Sequence, residues 1–114
     1  MKICITARDR TLNSSFEPHF ARAPFFIIHD TENGRSEAIR NGFVISNTRI
    51  GQNAVRLLEN NGVEVVITGE VGENARALLN GSGIALRQLT VTGTARQALA
   101  EFLSYEMEQQ KRPA

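Results

Sequence analysis

The segment 16–24, which reads FEPHFARAP, brings one of the two histidines of the chain close to an arginine and between two prolines. The segment has neither the 3.6-residue period of an amphipathic helix nor the alternation of a strand, so it predicts a loop. An imidazole such as that of His19 can bind a metal ion or donate a hydrogen bond, and the guanidinium of Arg22 can hold an anion. His19 can equally brace the loop between its prolines, and the residue types alone leave both roles open.

The other candidate groups favour structural roles. Cys4, the single cysteine, excludes an internal disulfide and an all-cysteine metal site, and its apolar neighbours predict a small buried side chain. His29 falls inside a predicted strand, where a structural hydrogen bond is the expected role. Glu70 and Glu73 stand beside a predicted helix start, where a carboxylate stabilises the helix dipole.

The composition predicts one soluble globular domain, since 41% of the 114 residues are hydrophobic and 22% are charged. A net charge of +1 predicts no bulk attraction to nucleic acid or to an anionic membrane surface. No apolar run approaches the roughly 20 residues of a membrane-spanning helix. The opening residues, MKICITARD, predict a strand and not a signal peptide, so a reducing cytoplasm is the expected compartment.

The first part of the chain predicts strands joined by a loop and a turn. Strands are expected at 2–6, 25–30 and 36–44. The segment 7–24 between the first two strands is long for a loop in a small domain, which is typical of a functional segment. Asn33-Gly34 predicts a tight turn because both residues tolerate positive φ angles.

The second part of the chain alternates helices and strands. Each predicted helix has an apolar face, which consists of Ile50, Ala54, Leu57 and Leu58, then Val71, Ala75, Leu78 and Leu79, then Ala95, Leu99, Phe102 and Leu103. Short runs at 63–67 and 84–86 predict the intervening strands, and Thr94 with Gln97 predicts a capping box on the last helix. The polar segment 106–114 is expected to fray.

An internal echo marks the helix starts. The segment 50–63 aligns with 71–84 at an offset of 21 residues, and both segments carry a glycine in second place, Gly51 and Gly72. Gly93 lies a further 21 residues on. A repeated helix–strand unit explains the echo, and so does convergence of two α/β units of similar length.

The element order predicts an antiparallel meander followed by parallel crossover units, in one mixed sheet with helices covering it. Chain direction then places the loop 7–24 at the carboxyl end of the first strand. The helix starts near Gly51, Gly72 and Gly93 reach the same edge, where ligands of open α/β sheets bind. Helix N-termini supply N–H donors and partial positive charge, so this edge predicts a site for a compact anion with room for one soft metal contact at His19.

Two sets of residues resemble the dinitrogenase iron–molybdenum cofactor accessory family, of the NifX and NafY type. The sets are Pro18-His19-Phe20, Arg22-Ala23-Pro24 and Phe25-Phe26 near the start, and Gly69, Val71, Gly72, Asn74 and Ala75 later. The resemblance implies one domain over 1–105 with a ribonuclease H-like three-layer α/β/α fold. Its five-stranded mixed sheet would have the order 3-2-1-4-5, with only strand two antiparallel.

The resemblance further implies a non-catalytic protein that binds or carries an anionic metal–sulfur cluster or its precursor. The cluster would be of the iron–molybdenum type or a molybdenum–copper sulfide, and cofactor-assembly or acceptor proteins would be its partners. Loop, helix starts and family motifs together give the candidate cofactor-binding residues, which are His19, Phe20, Arg22, Gly51, Gly69, Gly72, Asn74 and Gly93. His19 is the candidate metal ligand.

The chain departs from the family pattern at three places. Ala21 replaces a glycine, and Glu17 replaces a common serine. The segment 46–49 reads SNTR where many members have a His-Gly-Ala-Gly type of segment, which removes a second candidate metal ligand.

Two other functions are compatible with such a fold. A two-metal nuclease needs a carboxylate in the first strand, whereas the strand 2–6 has none and Asp9 falls in the loop. A protein-interaction or regulatory module without a cluster is the alternative to a carrier. The oligomeric state is open, since the polar third strand is able to pair with a second copy.

Overall fold

A computed structural model describes residues 1–42, 50–90 and 92–111 of the chain. The strands are β1 (Lys2–Ala7), β2 (Phe25–Asp30), β3 (Ser36–Arg40), β4 (Val65–Thr68) and β5 (Ala85–Gln88). The helices are α1 (Ile50–Asn60), α2 (Glu73–Gly81) and α3 (Ala95–Lys111), with a 3₁₀ turn at Phe20–Arg22.

The strands form one sheet in the order β3-β2-β1-β4-β5. Strand β2 is antiparallel to both of its neighbours, whereas β1, β4 and β5 are mutually parallel. In the central strand, Cys4 pairs with Ile28 on one side and with Val66 on the other. The predicted order and directions are confirmed.

The helices cover both faces of the sheet, because alternate residues of each strand point to opposite faces. Cys4 and Val66 face α1 and α2, where Leu58 and Leu79 pack on them in one buried cluster. Ile3, Ile5 and Ile67 face α3 and pack in a second buried cluster with Ala95, Ala98 and Phe102. The fold is therefore the expected three-layer α/β/α arrangement.

The short strands start later than the sequence pattern predicts because their first residues close the preceding helices. Val63 N–H donates to Leu58 O (3.1 Å) and Ile84 N–H donates to Leu79 O (3.0 Å). In each case a glycine with positive φ turns the chain: Gly62 (φ 71°) and Gly83 (φ 75°). The two echoing segments thus end their helices in the same way.

Three other element predictions need correction or comment. Leu78 is exposed, whereas Ala75 and Leu79 are buried, since Leu78 lies about 100° around the helix axis from Leu79. The third strand ends at Arg40: the N–H of Asn41 still donates in register to Pro24 O (2.8 Å), but proline has no N–H to return the bond. Residues 43 and 44 lie outside the described ranges. Helix α3 continues into the segment 106–114 as far as Lys111, and its fraying stays a prediction.

None of the helices in the described ranges has both the length and the apolar character needed to cross a membrane.

Burial makes the Cys4 thiol inert. The residue is fully enclosed between the sheet and α1, and desolvation raises the pKa of the thiol far above its ordinary value. We expect a thiol reagent to label the native protein about a hundredfold more slowly than the urea-unfolded chain, because the enclosed thiol is reached only when the fold opens. The unfolded chain should take up one equivalent of reagent. Fast labelling under native conditions would contradict this burial.

Candidate functional site

The loop between β1 and β2 lies directly on the carboxyl end of β4. The carbonyl of Pro18 accepts the N–H groups of Gly69 (2.9 Å) and Glu70 (2.5 Å). The N–H of Phe20 in turn donates to Glu70 O (3.0 Å), and His19 pairs with Glu70 in a short parallel bridge. This pairing fixes the backbone of the loop beside the connection between β4 and α2.

Two buried threonines hold the loop from below. Thr6, one residue before the end of the central strand β1, donates its hydroxyl hydrogen to Glu17 O (2.6 Å). Thr68, the last residue of β4, donates its hydroxyl hydrogen to Pro18 O (3.3 Å). The two hydroxyls are 3.0 Å apart, and both side chains are fully buried. Sequence analysis missed these residues; a threonine at the end of each of two apolar strands was the available signal.

The imidazole of His19 lies between two carboxylates. Its Nδ1 is 3.1 Å from Glu17 Oε2, and its Nε2 is 3.2 Å from Glu70 Oε2. The backbone N–H of His19 also donates to Glu17 Oε2 (2.9 Å). The ring is 57% exposed, so it braces the loop and still faces solvent. A metal ion can reach Nε2 only after Glu70 moves away.

The 3₁₀ turn directs Phe20 and Arg22 in opposite directions. The Phe20 side chain is 1% exposed, and its ring centroid lies 5.7 Å from that of Phe26 inside the core. Phe20 is thus an anchor for the loop, and its ring has no surface for a ligand, contrary to its assignment as a binding residue. Arg22 is exposed, and its guanidinium has no hydrogen bond or ion pair within residues 1–42, 50–90 and 92–111.

The start of α3 is capped by its own residues. Thr94 N–H donates to Gln97 Oε1 (2.7 Å), and Gln97 N–H donates to Thr94 Oγ1 (3.2 Å), which confirms the predicted capping box. A Cβ at Gly93 would overlap the Gln97 side chain. Gly93 therefore makes room for the cap and not for a ligand.

The loop also occupies the next donors of α3. Ala95 N–H donates to Ser14 O (2.9 Å), and Arg96 N–H donates to Leu12 O (2.7 Å). The expectation that the start of α3 offers free N–H groups is wrong, because the path of the loop satisfies those groups internally.

The start of α2 is open by contrast. Gly72 is the N-cap and makes no side-chain hydrogen bond, and a Cβ there would meet nothing within 4 Å. The N–H groups of Glu73, Asn74 and Ala75 have no acceptor in the part of the chain that the structure describes. Asn74 and Glu73 are both exposed at this end. The α2 N-terminus therefore presents the N–H groups of two exposed residues, Glu73 and Asn74, beside the connection that holds Glu70, whereas Ala75 is buried.

Helix α1 begins at Ile50, so Gly51 lies in its first turn. The helix packs against α2 and against the 3₁₀ turn, which places it next to the same edge of the sheet. The segment 46–49, which departs from the family pattern in sequence, lies outside the described ranges.

Gly69 is required by packing against the loop. A Cβ built on it would lie 2.8 Å from both the carbonyl oxygen and the Cβ of Pro18. This close approach explains the glycine without a ligand.

We call residues 17–22 and 69–74 together the rim. Of the sequence-predicted site residues, the rim includes His19, Arg22, Gly69, Gly72 and Asn74. Phe20 also lies in the rim, but its buried ring is no ligand contact, and Gly93 lies outside the rim against the Gln97 side chain. In the described ranges no group of three or more His, Cys, Asp or Glu side chains is placed to hold a metal ion. The rim therefore offers backbone donors, one guanidinium and one imidazole nitrogen, beside the carboxylates of Glu17, Glu70 and Glu73.

The model of the dinitrogenase iron-molybdenum cofactor family matches residues 1–105. The chain belongs to this family. An uncharacterized protein of Methanocaldococcus jannaschii is 28% identical over 102 residues, which cover 84% of this chain and 83% of that protein.

Two solved structures are similar at higher identity. The apo form of the orange protein from Desulfovibrio gigas superposes with a TM-score of 0.87 at 32% identity, covering 92% of this chain and 88% of the other. A Thermotoga protein provisionally assigned as NifB gives a TM-score of 0.81 at 32% identity, covering 90% of this chain and 87% of the other. The family resemblance seen in the motifs is confirmed.

The Gly69 contact predicts a stability test. Gly69→Ala should lower the free energy of unfolding by about 1–3 kcal/mol, because the added methyl group collides with the Pro18 backbone. Gly81→Ala is the matched control: Gly81 is the last residue of α2 and has open space, so alanine should raise stability by about 0.5–1 kcal/mol. Urea unfolding measures both changes, and equal effects would refute the role of Gly69.

Proposed function

We propose that this protein is a non-catalytic carrier that binds an anionic metal–sulfur cluster or its precursor at the rim. The observation that carries the proposal is the uncapped N-terminus of α2, where Gly72 stands two residues after Glu70, the contact of His19, in a chain of the cofactor family. Each open helix N-terminus favours an anion by about 0.3–1 kcal/mol when exposed. Arg22 adds a full positive charge at the same edge.

The residues suit a sulfide-coated anion better than a bare metal ion. Gly72 lets a bulky ligand approach the N–H groups of Glu73 and Asn74, since it has no side chain and no other atom lies within 4 Å of where its Cβ would be. The Nε2 of His19 can supply one metal contact. One nitrogen ligand is insufficient to hold a free metal ion, whereas a preassembled cluster brings its remaining ligands as sulfide.

The cargo that fits this donor set is an iron–molybdenum type of cluster or a molybdenum–copper sulfide. The likeness to the orange protein, solved in its apo form, supports a removable group as cargo. In this proposal, cofactor-assembly proteins in the cytoplasm donate the cluster to the carrier and acceptor proteins receive it. The strand KICITA has no carboxylate, which supports transfer without catalysis over two-metal hydrolysis.

A protein-docking function is the second candidate, and one feature favours it. The exposed side chains of Arg10 and Arg40 stack on the half-buried ring of Phe25, with their Cζ atoms 5.5 and 5.6 Å from its centroid. Arginine and aromatic side chains are enriched in protein interfaces.

Anaerobic mixing with tetrathiomolybdate, with and without copper(I), tests the carrier. The wild type should retain the anion through gel filtration, with a changed visible spectrum. His19→Ala combined with Arg22→Ala should weaken binding about tenfold or more, which corresponds to losing roughly 1.4 kcal/mol.

The matched control is His29→Ala with Arg35→Ala, which removes the same residue types at the opposite end of the sheet. Loss of retention in this control as well, or unchanged retention in the rim variant, would refute the site.

The docking function makes a different prediction. A stoichiometric protein should co-purify with the metal-free chain, and Arg10→Ala with Arg40→Ala should release it while thiomolybdate retention is unchanged. If the arginine variant keeps its partner, the Phe25 surface is not the interface.

A further inference from the structure

Glu17 is the most firmly held carboxylate of the rim. Its side chain is 13% exposed and accepts from Arg8 Nε (3.3 Å), from the His19 backbone (2.9 Å) and from His19 Nδ1 (3.1 Å). Its own backbone is tied to Thr6 at both ends, through N–H to Thr6 O (3.0 Å) and through its carbonyl to the Thr6 hydroxyl. Glu17 is therefore a fixed part of the loop.

Glu70 contacts the same imidazole in a different way. Its side chain is 77% exposed, and its one side-chain contact within the described ranges is His19 Nε2 (3.2 Å). Its backbone is held by Pro18 and Phe20, so the carboxylate can swing while the chain stays in place. An anion that arrives at the α2 N-terminus repels this carboxylate.

We propose that Glu17 is a positioning residue that holds Nδ1–H of His19 and so presents Nε2 to the cargo, while Glu70, whose carboxylate lies 3.2 Å from Nε2, closes the empty site by covering that nitrogen. This inference rests on the proposed carrier function and deepens it. A carboxylate that orients a metal-binding imidazole through its second nitrogen is a general device. Here two carboxylates contact the same imidazole, and Glu17 favours binding of the cargo whereas Glu70 opposes it.

The affinity for copper(I)–tetrathiomolybdate tests both roles. Glu70→Ala should tighten binding about fivefold, since the group that covers Nε2 and one like charge near the anion are both removed. Glu17→Ala should weaken binding about fivefold, and Glu17→Gln, which keeps an acceptor oxygen for Nδ1–H, should recover part of the loss. Glu32→Gln, an exposed carboxylate in the distant hairpin, is the control for net charge and should change nothing.

The same substitutions in a His19→Ala background separate local from general effects. If Glu17 acts through His19, its substitution no longer weakens binding there. If Glu70→Ala tightens binding as much without His19 as with it, Glu70 acts only as a charge and the closing role is overturned.

Nitrogen-15 spectra of the histidine rings test Glu17 without any cargo. The neutral His19 ring should carry its hydrogen on Nδ1 in the wild type and lose this preference in Glu17→Ala, with His29 unchanged as the internal reference. A hydrogen on Nε2 in the wild type would overturn the positioning role. If wild type and Glu70→Ala both fail to retain the anion, the carrier function and the closing role fall together, whereas the ring spectra still decide Glu17.

Discussion

The carbonyl of Pro18 is the point on which the geometry of the rim depends. It accepts hydrogen bonds from the N–H groups of Gly69 and Glu70 and from the buried hydroxyl of Thr68. These donors come from the end of β4, so one oxygen joins the long loop to the parallel half of the sheet. Without this junction, His19 would have no defined position relative to the helix start that follows Glu70.

The path of the loop also decides which helix start is available. Before it reaches Pro18, the loop places the carbonyls of Leu12 and Ser14 on the first N–H groups of α3, and the capping box satisfies the others. Nothing comparable covers α2 in the described part of the chain, where the N-cap is Gly72. The starts of α2 and α3 both follow a glycine but differ chemically, because hydrogen bonds to the loop and the cap satisfy the N–H groups of α3 and leave those of α2 without partners in the described residues.

Patterns within a segment were sufficient to predict the elements and one mixed sheet, since β-branched runs, Asn-Gly turns and apolar helix faces are local signals, whereas the strand order was implied by the family resemblance. Gly62 and Gly83, which follow α1 and α2 with positive φ, are local signals of the same kind. The roles of Gly69, Gly93 and Phe20 were not accessible in this way. A glycine at a helix start looks the same whether it admits a ligand, a proline or a glutamine side chain, and only the tertiary path of the loop distinguishes these cases. The same holds for Thr6 and Thr68, whose partners lie far away in sequence.

The contacts that hold the loop differ from the one contact that a ligand would displace. The Pro18 and Thr6 bonds are backbone or buried contacts, whereas the 3.2 Å contact between His19 Nε2 and the Glu70 carboxylate joins two exposed side chains. Exposed ion pairs contribute little to stability, typically about 0–1 kcal/mol. Opening the site would therefore cost little, and the loop would keep its place during the exchange. A carrier needs this combination, because its site must load and unload without unfolding the segment that defines it.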